Sequence, residues 1–276
     1  MAAAVLAAAL LHSTWHALVK SSGDQVIALA GMNLVSGAAA ILLLPFVSVP
    51  TGLAAAVIGV SVLLHAGYKL SLARLYGRSD LSLGYPVARG LTPAVATLLG
   101  FVLMGERPSV QILVGILSIS LGIVGLLLDR ADNRLSWAAL AAAAAAGIAV
   151  ATYSVVDAYG VRINSDWLGF TAWLVASDSL AFVGYTVATR GRLATLAWRR
   201  GWGRTLVSGL LGTASFGVFM WALGRAQVGA VTALRETSIV FALLIGMAFL
   251  RERITGPRVI STALVMAGAA TIALAR

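Results

Sequence analysis

The sequence predicts an all-α integral membrane protein of ten transmembrane helices, arranged as two inverted five-helix repeats. Three observations predict it. Of the 276 residues, 60% are hydrophobic and only 11% charged. The apolar runs are each about 20 residues long, the length that crosses a bilayer as a helix. Charged and glycine positions recur between the two halves. Arg89 returns as Arg235, Gly100 as Gly246 and Glu106-Arg107 as Glu252-Arg253, all at an offset of 146, while Gly77-Arg78 returns as Gly224-Arg225 at 147.

A soluble domain carries about 25% charged residues, so this chain would lack polar cover in water. Lipid-exposed backbone has no water to pair with, and helices satisfy it internally. The alternating pattern of a transmembrane barrel is absent. The chain has no cysteine, which excludes disulfides and thiolate metal sites.

The predicted spans are 2–20, 25–47, 51–76, 81–104, 109–128, 135–158, 166–188, 203–225, 228–250 and 257–275. Polar or helix-breaking residues punctuate them, such as Ser21-Ser22-Gly23-Asp24, Val49-Pro50 and Asn164-Ser165-Asp166. Residues 2–19 read as a span rather than a signal peptide, because no basic segment precedes them and His12-Ser13-Thr14 interrupt the apolar core. Residues 1–132 form the first repeat and 133–276 the second. Five helices per repeat is an odd number, so the second copy enters the membrane from the opposite side.

Charged side chains inside a bilayer are costly and usually face a cavity or a partner. In the first span His12, Trp15 and His16 share one helical face and are expected to line a cavity. Histidines four apart can ligate zinc, but Ser13 stands where that motif has glutamate and no third ligand is evident, so no metal is expected. The third span presents His65, Tyr68, Lys69, Leu72 and Tyr76. Lys69 suits a substrate carboxylate or a snorkel to the interface, and Tyr76 suits an interfacial belt. Tyr85 and Arg89 lie one turn apart in the fourth span, beside Pro86 and Pro93.

Tyr153 and Asp157 share a face of the sixth span, with Asp157 expected at the membrane surface. Asp178, between Ser177 and Ser179 in mid-span, is a buried carboxyl or a proton-coupling group. Trp221 and Ser238 are cavity candidates. Arg235 and Glu236 complete the set: Glu236 is a second coupling candidate and a partner for Arg89 across the halves. Trp167, Trp198 and Trp202 read as interfacial anchors. Small residues (Ser118, Gly122, Gly125, Ser208, Gly212) suit close helix contacts within one chain, and a monomer is expected.

The net charge is +10. Its Lys/Arg residues sit between apolar runs rather than on a polar face, so nucleic acid is not an expected partner. The loops after odd-numbered spans hold 14 of them, and the opposite side holds Arg107, Arg162, Arg225 and Arg276. The positive-inside rule then places both termini in the periplasm.

Two five-helix halves, Thr92-Pro93 in the fourth span, Gly105-Glu106-Arg107 after it and Arg251-Glu252-Arg253-Ile254-Thr255 after the ninth make the chain resemble EamA-type carriers of the drug/metabolite transporter superfamily. The polar and aromatic residues look most like those of bacterial amino-acid exporters, including the aromatic branch. The chain departs from the pattern at Trp15-His16, where Trp-Gly is frequent, and at Ile239, which aligns with Pro93. The resemblance implies a secondary carrier of the bacterial inner membrane that exports amino acids, aromatic ones included, by alternating access. It implies no cofactor, and only small-molecule substrates and membrane lipids as partners. One alternative is export of cationic drugs, with Glu236 or Asp178 as counter-ion. Another is a membrane-embedded enzyme acting on lipids, which would want clustered Asp or His at a membrane face; here the acids are scattered, and no enzyme is expected. No P-loop is present for an ATP-driven pump.

Overall fold

The computed structural model describes residues 1–76, 81–125, 137–241 and 255–275, apart from the side chains of residues 20, 71–76, 81–88, 137–140, 142 and 143. The described regular structure is entirely helical. The elements are α1 Ala2–Lys20, α2 Gln25–Leu43 with a 3₁₀ turn Leu44–Phe46, α3 Gly52–Tyr76, α4 Leu81–Met104, α5 Val110–Gly125, α6 Trp137–Ile163, α7 Trp167–Arg190, α8 Arg192–Arg200, α9 Trp202–Leu223, α10 Val228–Glu236 and α11 Gly256–Leu274. Seven of them (α1, α2, α3, α6, α7, α9 and α11) contain stretches long and apolar enough to cross a membrane; α4 and α5 contribute shorter ones, Arg89–Met104 and Val110–Gly125.

The helix ends follow local chemistry. Asp24 opens α2 by accepting the Ile27 N–H at 3.1 Å. Asp166 opens α7 by accepting from Leu168 at 3.1 Å and Gly169 at 3.0 Å. Each carboxylate satisfies amides that a helix start leaves without intrahelical partners. Pro45 falls in the 3₁₀ turn that ends α2 short of the predicted residue 47.

Two features depart from the sequence expectation. The arginine-rich stretch after the seventh span contains a helix, α8. Its Ala194 and Trp198, one turn apart, are both buried. The Trp198 indole N–H donates to the Ile27 carbonyl at 2.8 Å, so Trp198 is a packing residue and not an interfacial anchor. Trp202, in contrast, is half-exposed. The ninth span is also not one continuous helix: α10 stops at Glu236, Thr237 forms a turn, and helical backbone resumes at Ser238. The Thr237 hydroxyl donates to the Leu234 carbonyl at 2.6 Å. Segments 77–80, 126–136 and 242–254, with Arg78, Asn133, Gly246 and Glu252-Arg253, lie outside the described residues.

Small residues bring the helices close. A methyl group added at Gly115 would lie 2.9 Å from the Gly268 carbonyl, and one at Gly122 2.8 Å from the Ser261 carbonyl, which seats α5 on α11. Gly37 of α2 is pressed against Ser179 of α7. The α4 helix packs on α6 and α10, α1 on α9, α3 on α6, and α2 on α9. The larger apolar core gathers Phe170, Phe219, Leu223 and Leu234. A smaller one gathers Trp15, Phe182 and Trp198.

The described connections sort into two ends. At one, Arg190 meets Asp24 at 3.6 Å, and the Arg204 guanidinium donates to the Leu18 carbonyl and Ser21 hydroxyl. At the other, Ser48 N–H donates to Asp166 at 3.0 Å, Arg162 pairs with Glu106 at 2.7 Å, and Arg162 donates to the Leu223 carbonyl at 3.0 Å.

Candidate functional site

The bundle encloses a cavity with about 930 Å³ of space free of atoms, part of it continuous with solvent. Eight helices line it, among them α1 with His12, Trp15 and His16; α2 with Asn33 and Ser36; α3 with His65, Tyr68 and Lys69; α4 with Arg89; α6 with Tyr153; α7 with Asp178; and α9 with Thr213, Ser215, Phe216 and Phe219. Arg235 of α10 closes it.

Three charged clusters border the cavity. Lys69 donates to the Asp178 carboxylate and to Asn33 Oδ1, the latter at 2.8 Å, and its ammonium lies 5.0 Å from the Phe182 ring centre. Its side chain is only 10% exposed, so it is a buried, paired cation rather than a snorkelling one. Arg89 donates to Glu236 Oε1 at 2.9 Å and contacts His12 Nε2 at 3.0 Å. Glu236 has no exposed surface. The third cluster corrects the sequence reading of Asp157. This carboxylate is wholly buried; it accepts the Ser61 hydroxyl and meets His65 Nε2 at 3.0 Å. It was expected at the surface because it lies near the predicted end of the sixth span, but α6 continues to Ile163.

Arg235 stands apart from these pairs. It is 5% exposed. It donates one N–H to the Tyr153 hydroxyl at 3.2 Å, and its guanidinium carbon lies 4.0 Å from the Phe219 ring centre. Its Nε has no hydrogen-bond partner among the described residues, and no described carboxylate pairs with it. A buried cation that lines the cavity, and whose described partners are only a phenol and a ring face, suits an anionic group.

Of the predicted site residues, His12, Trp15, His16, His65, Tyr68, Lys69, Arg89, Tyr153 and Arg235 share this cavity, as does Asp178. Glu236 lies behind Arg89. Ser238 is buried away from the lining. Trp221 is not a cavity residue either: near the end of α9, it stacks 5.0 Å from the Arg225 guanidinium. The Tyr85 side chain lies outside the described residues. Sequence reasoning missed Asn33, Ser36, Thr213, Phe216 and Phe219. Asn33 carried a signal, as the one amide in the interior of its span.

Long apolar helices packed around a polar, partly enclosed cavity are those of a multi-pass membrane protein. The EamA-like transporter family, a family of small-molecule membrane transporters, matches residues 136–274, half of the chain, and the chain belongs to it. A protein crystal structure aligns over 98% of this chain and 95% of its own, at 21% identity and a TM-score of 0.75; the two share a fold. No curated protein matches the chain.

Proposed function

We propose that this protein is a secondary carrier of the bacterial inner membrane that exports amino acids, aromatic ones among them, by alternating access. The observation that carries the substrate class is Arg235, a buried guanidinium with an unfilled Nε donor and no carboxylate partner among the described residues. A substrate carboxylate supplies the missing anion. The His65, Tyr68, Tyr153, Phe216 and Phe219 rings beside it suit an aromatic or long apolar side chain.

The carrier reading includes ten spans as two inverted repeats, 1–132 and 133–276, and a monomeric working unit. Packing supports the twofold relation. Gly115 meets Gly268, and Gly122 meets Ser261. An offset of 146 turns 115 into 261 and 122 into 268, so the two contacts exchange with each other. The same relation accounts for Arg235. Its repeat-mate Arg89 holds Glu236, whereas the position matching Glu236 in the first half is Gly90. The repeat thus has two arginines and one glutamate, and the second arginine is left to the substrate.

Proteoliposomes loaded with unlabelled L-phenylalanine test this by counterflow of labelled L-phenylalanine. Wild-type protein exchanges it. Arg235→Ala abolishes exchange while keeping the wild-type elution profile, and Arg235→Lys keeps a part. Undiminished exchange by Arg235→Ala refutes the assignment. A second reading, export of cationic drugs, is favoured by Asp178, whose Oδ1 has no partner among the described residues. Exchange of quaternary amines in place of L-phenylalanine selects it.

A further inference from the structure

We infer that His65 and Asp157 form the site that binds and releases a proton in exchange for substrate; this rests on the amino-acid reading above. Two of the three buried acid clusters are closed by a lysine or an arginine, Lys69 on Asp178 and Arg89 on Glu236. The third is different. Asp157 has no exposed surface, and its described side-chain contacts are Ser61 on Oδ1 and His65 on Oδ2. Its counter-ion is therefore an imidazole, which carries charge only when it holds an extra proton. The pair is net negative with the imidazole neutral and net zero with the imidazolium.

The pair is also placed to sense the substrate. His65 reaches the cavity, while Asp157 stands behind it. The His65 ring packs on the Tyr153 ring at 4.2 Å, and Tyr153 is the group that accepts from Arg235. Proton site and anion site are one aromatic ring apart.

Charge then dictates exchange. The titratable and charged groups at this space are Tyr68 and Lys69 on α3, Arg89 on α4, Tyr153 on α6 with Asp157 behind His65, Asp178 on α7, Arg235 on α10 with Glu236 behind Arg89, and His12 and His16 on α1. With the histidines neutral, the cations Lys69, Arg89 and Arg235 match the carboxylates Asp157, Asp178 and Glu236. Protonation of His65 adds one unmatched positive charge inside a low-dielectric space. A zwitterionic amino acid brings its own ammonium there once its carboxylate engages Arg235. Imidazolium and ammonium repel, so the cavity favours a proton or a substrate, but not both. That is the requirement for antiport: the proton leaves His65 for water on one side as substrate binds, and is taken up on the other after substrate departs.

The test separates exchange from coupling. Proteoliposomes with an acidic lumen accumulate labelled L-phenylalanine through wild-type protein, and a lumenal pH dye reports matching alkalinisation. Asp157→Asn, which keeps the size of the side chain and a group for Ser61 and His65 to bond, retains counterflow but loses both accumulation and dye signal. His65→Asn also loses accumulation. Ser61→Ala leaves Asp157 with His65 alone and displaces the pH dependence of driven transport. Accumulation by Asp157→Asn at the wild-type level overturns the proton site and leaves the amino-acid reading standing, as does wild-type counterflow without proton movement. Absence of wild-type counterflow overturns the amino-acid reading and the proton site together.

Discussion

Arg89 and Glu236 show what one buried charge commits its neighbours to. The carboxylate has no exposed surface and takes Arg89 at 2.9 Å through Oε1. Removing the guanidinium strands a desolvated anion, a loss of about 3–5 kcal/mol where such pairs have been broken. Arg89→Met is therefore expected to lower thermal stability in detergent sharply. The double variant Arg89→Met/Glu236→Leu, which removes both charges, is expected to recover most of it. A double variant no more stable than the single one would show that Arg89 acts through some other contact. This pairing was legible in the sequence because two ionisable residues inside apolar runs need partners and few are on offer. Asp157 was not legible. Its depth depended on where α6 ends, and a run of apolar residues followed by a polar one gives no sharp end. Trp198 failed for a related reason: a tryptophan among arginines matches an interfacial anchor, and only the packing of α8 on α2 shows the ring inside.

Two of the described acids, Asp24 and Asp166, act at helix starts. Asp166 caps α7 and ties it to Ser48 beyond α2. The Gly169 N–H, followed by the N–H and hydroxyl of Ser48 and the N–H of Leu168, holds its carboxyl below the ordinary aspartate value. A group whose folded-state value is depressed contributes stability above its unfolded value, about pH 4, and loses it as pH falls through the folded value. Asp166→Ala is thus expected to cost about 0.5–2 kcal/mol near neutral pH, the usual worth of such a cap. The gap in melting temperature between wild type and variant should close as the pH is taken below 4. A gap that persists unchanged in acid would mean that the carboxylate's charge is not what the cap uses. Seven of the predicted spans were legible because lipid imposes a length on them. Two elements were not. The α8 helix is amphipathic and too short to register as a span. The turn at Thr237 breaks the ninth span without the proline that Pro93 supplies in the fourth.

At the scale of the whole molecule, the described connections fall at two ends. The α1–α2 connection meets the arginine-rich α7–α9 connection through Arg190–Asp24 and Arg204–Ser21. The connections before α3, α5, α7 and α10 share contacts through Ser48–Asp166, Glu106–Arg162 and the amide of Val228, which donates to Glu106 at 3.0 Å. The first end contains the block Arg190, Arg192, Arg199, Arg200 and Arg204, and positive charge marks the cytoplasmic side. Because the chain has no cysteine, single cysteines report sidedness without background. Gly23→Cys and Thr195→Cys, both exposed at the arginine-rich end, are expected to resist a membrane-impermeant maleimide in intact spheroplasts and to react once the membrane is opened. Ser109→Cys and Ser165→Cys, exposed at the opposite end, are expected to react in intact spheroplasts. Labelling with the two ends exchanged would reverse the orientation and put the termini in the cytoplasm. Different outcomes for Gly23→Cys and Thr195→Cys would break the arrangement itself, because the contacts between their connections require one side of the membrane for both.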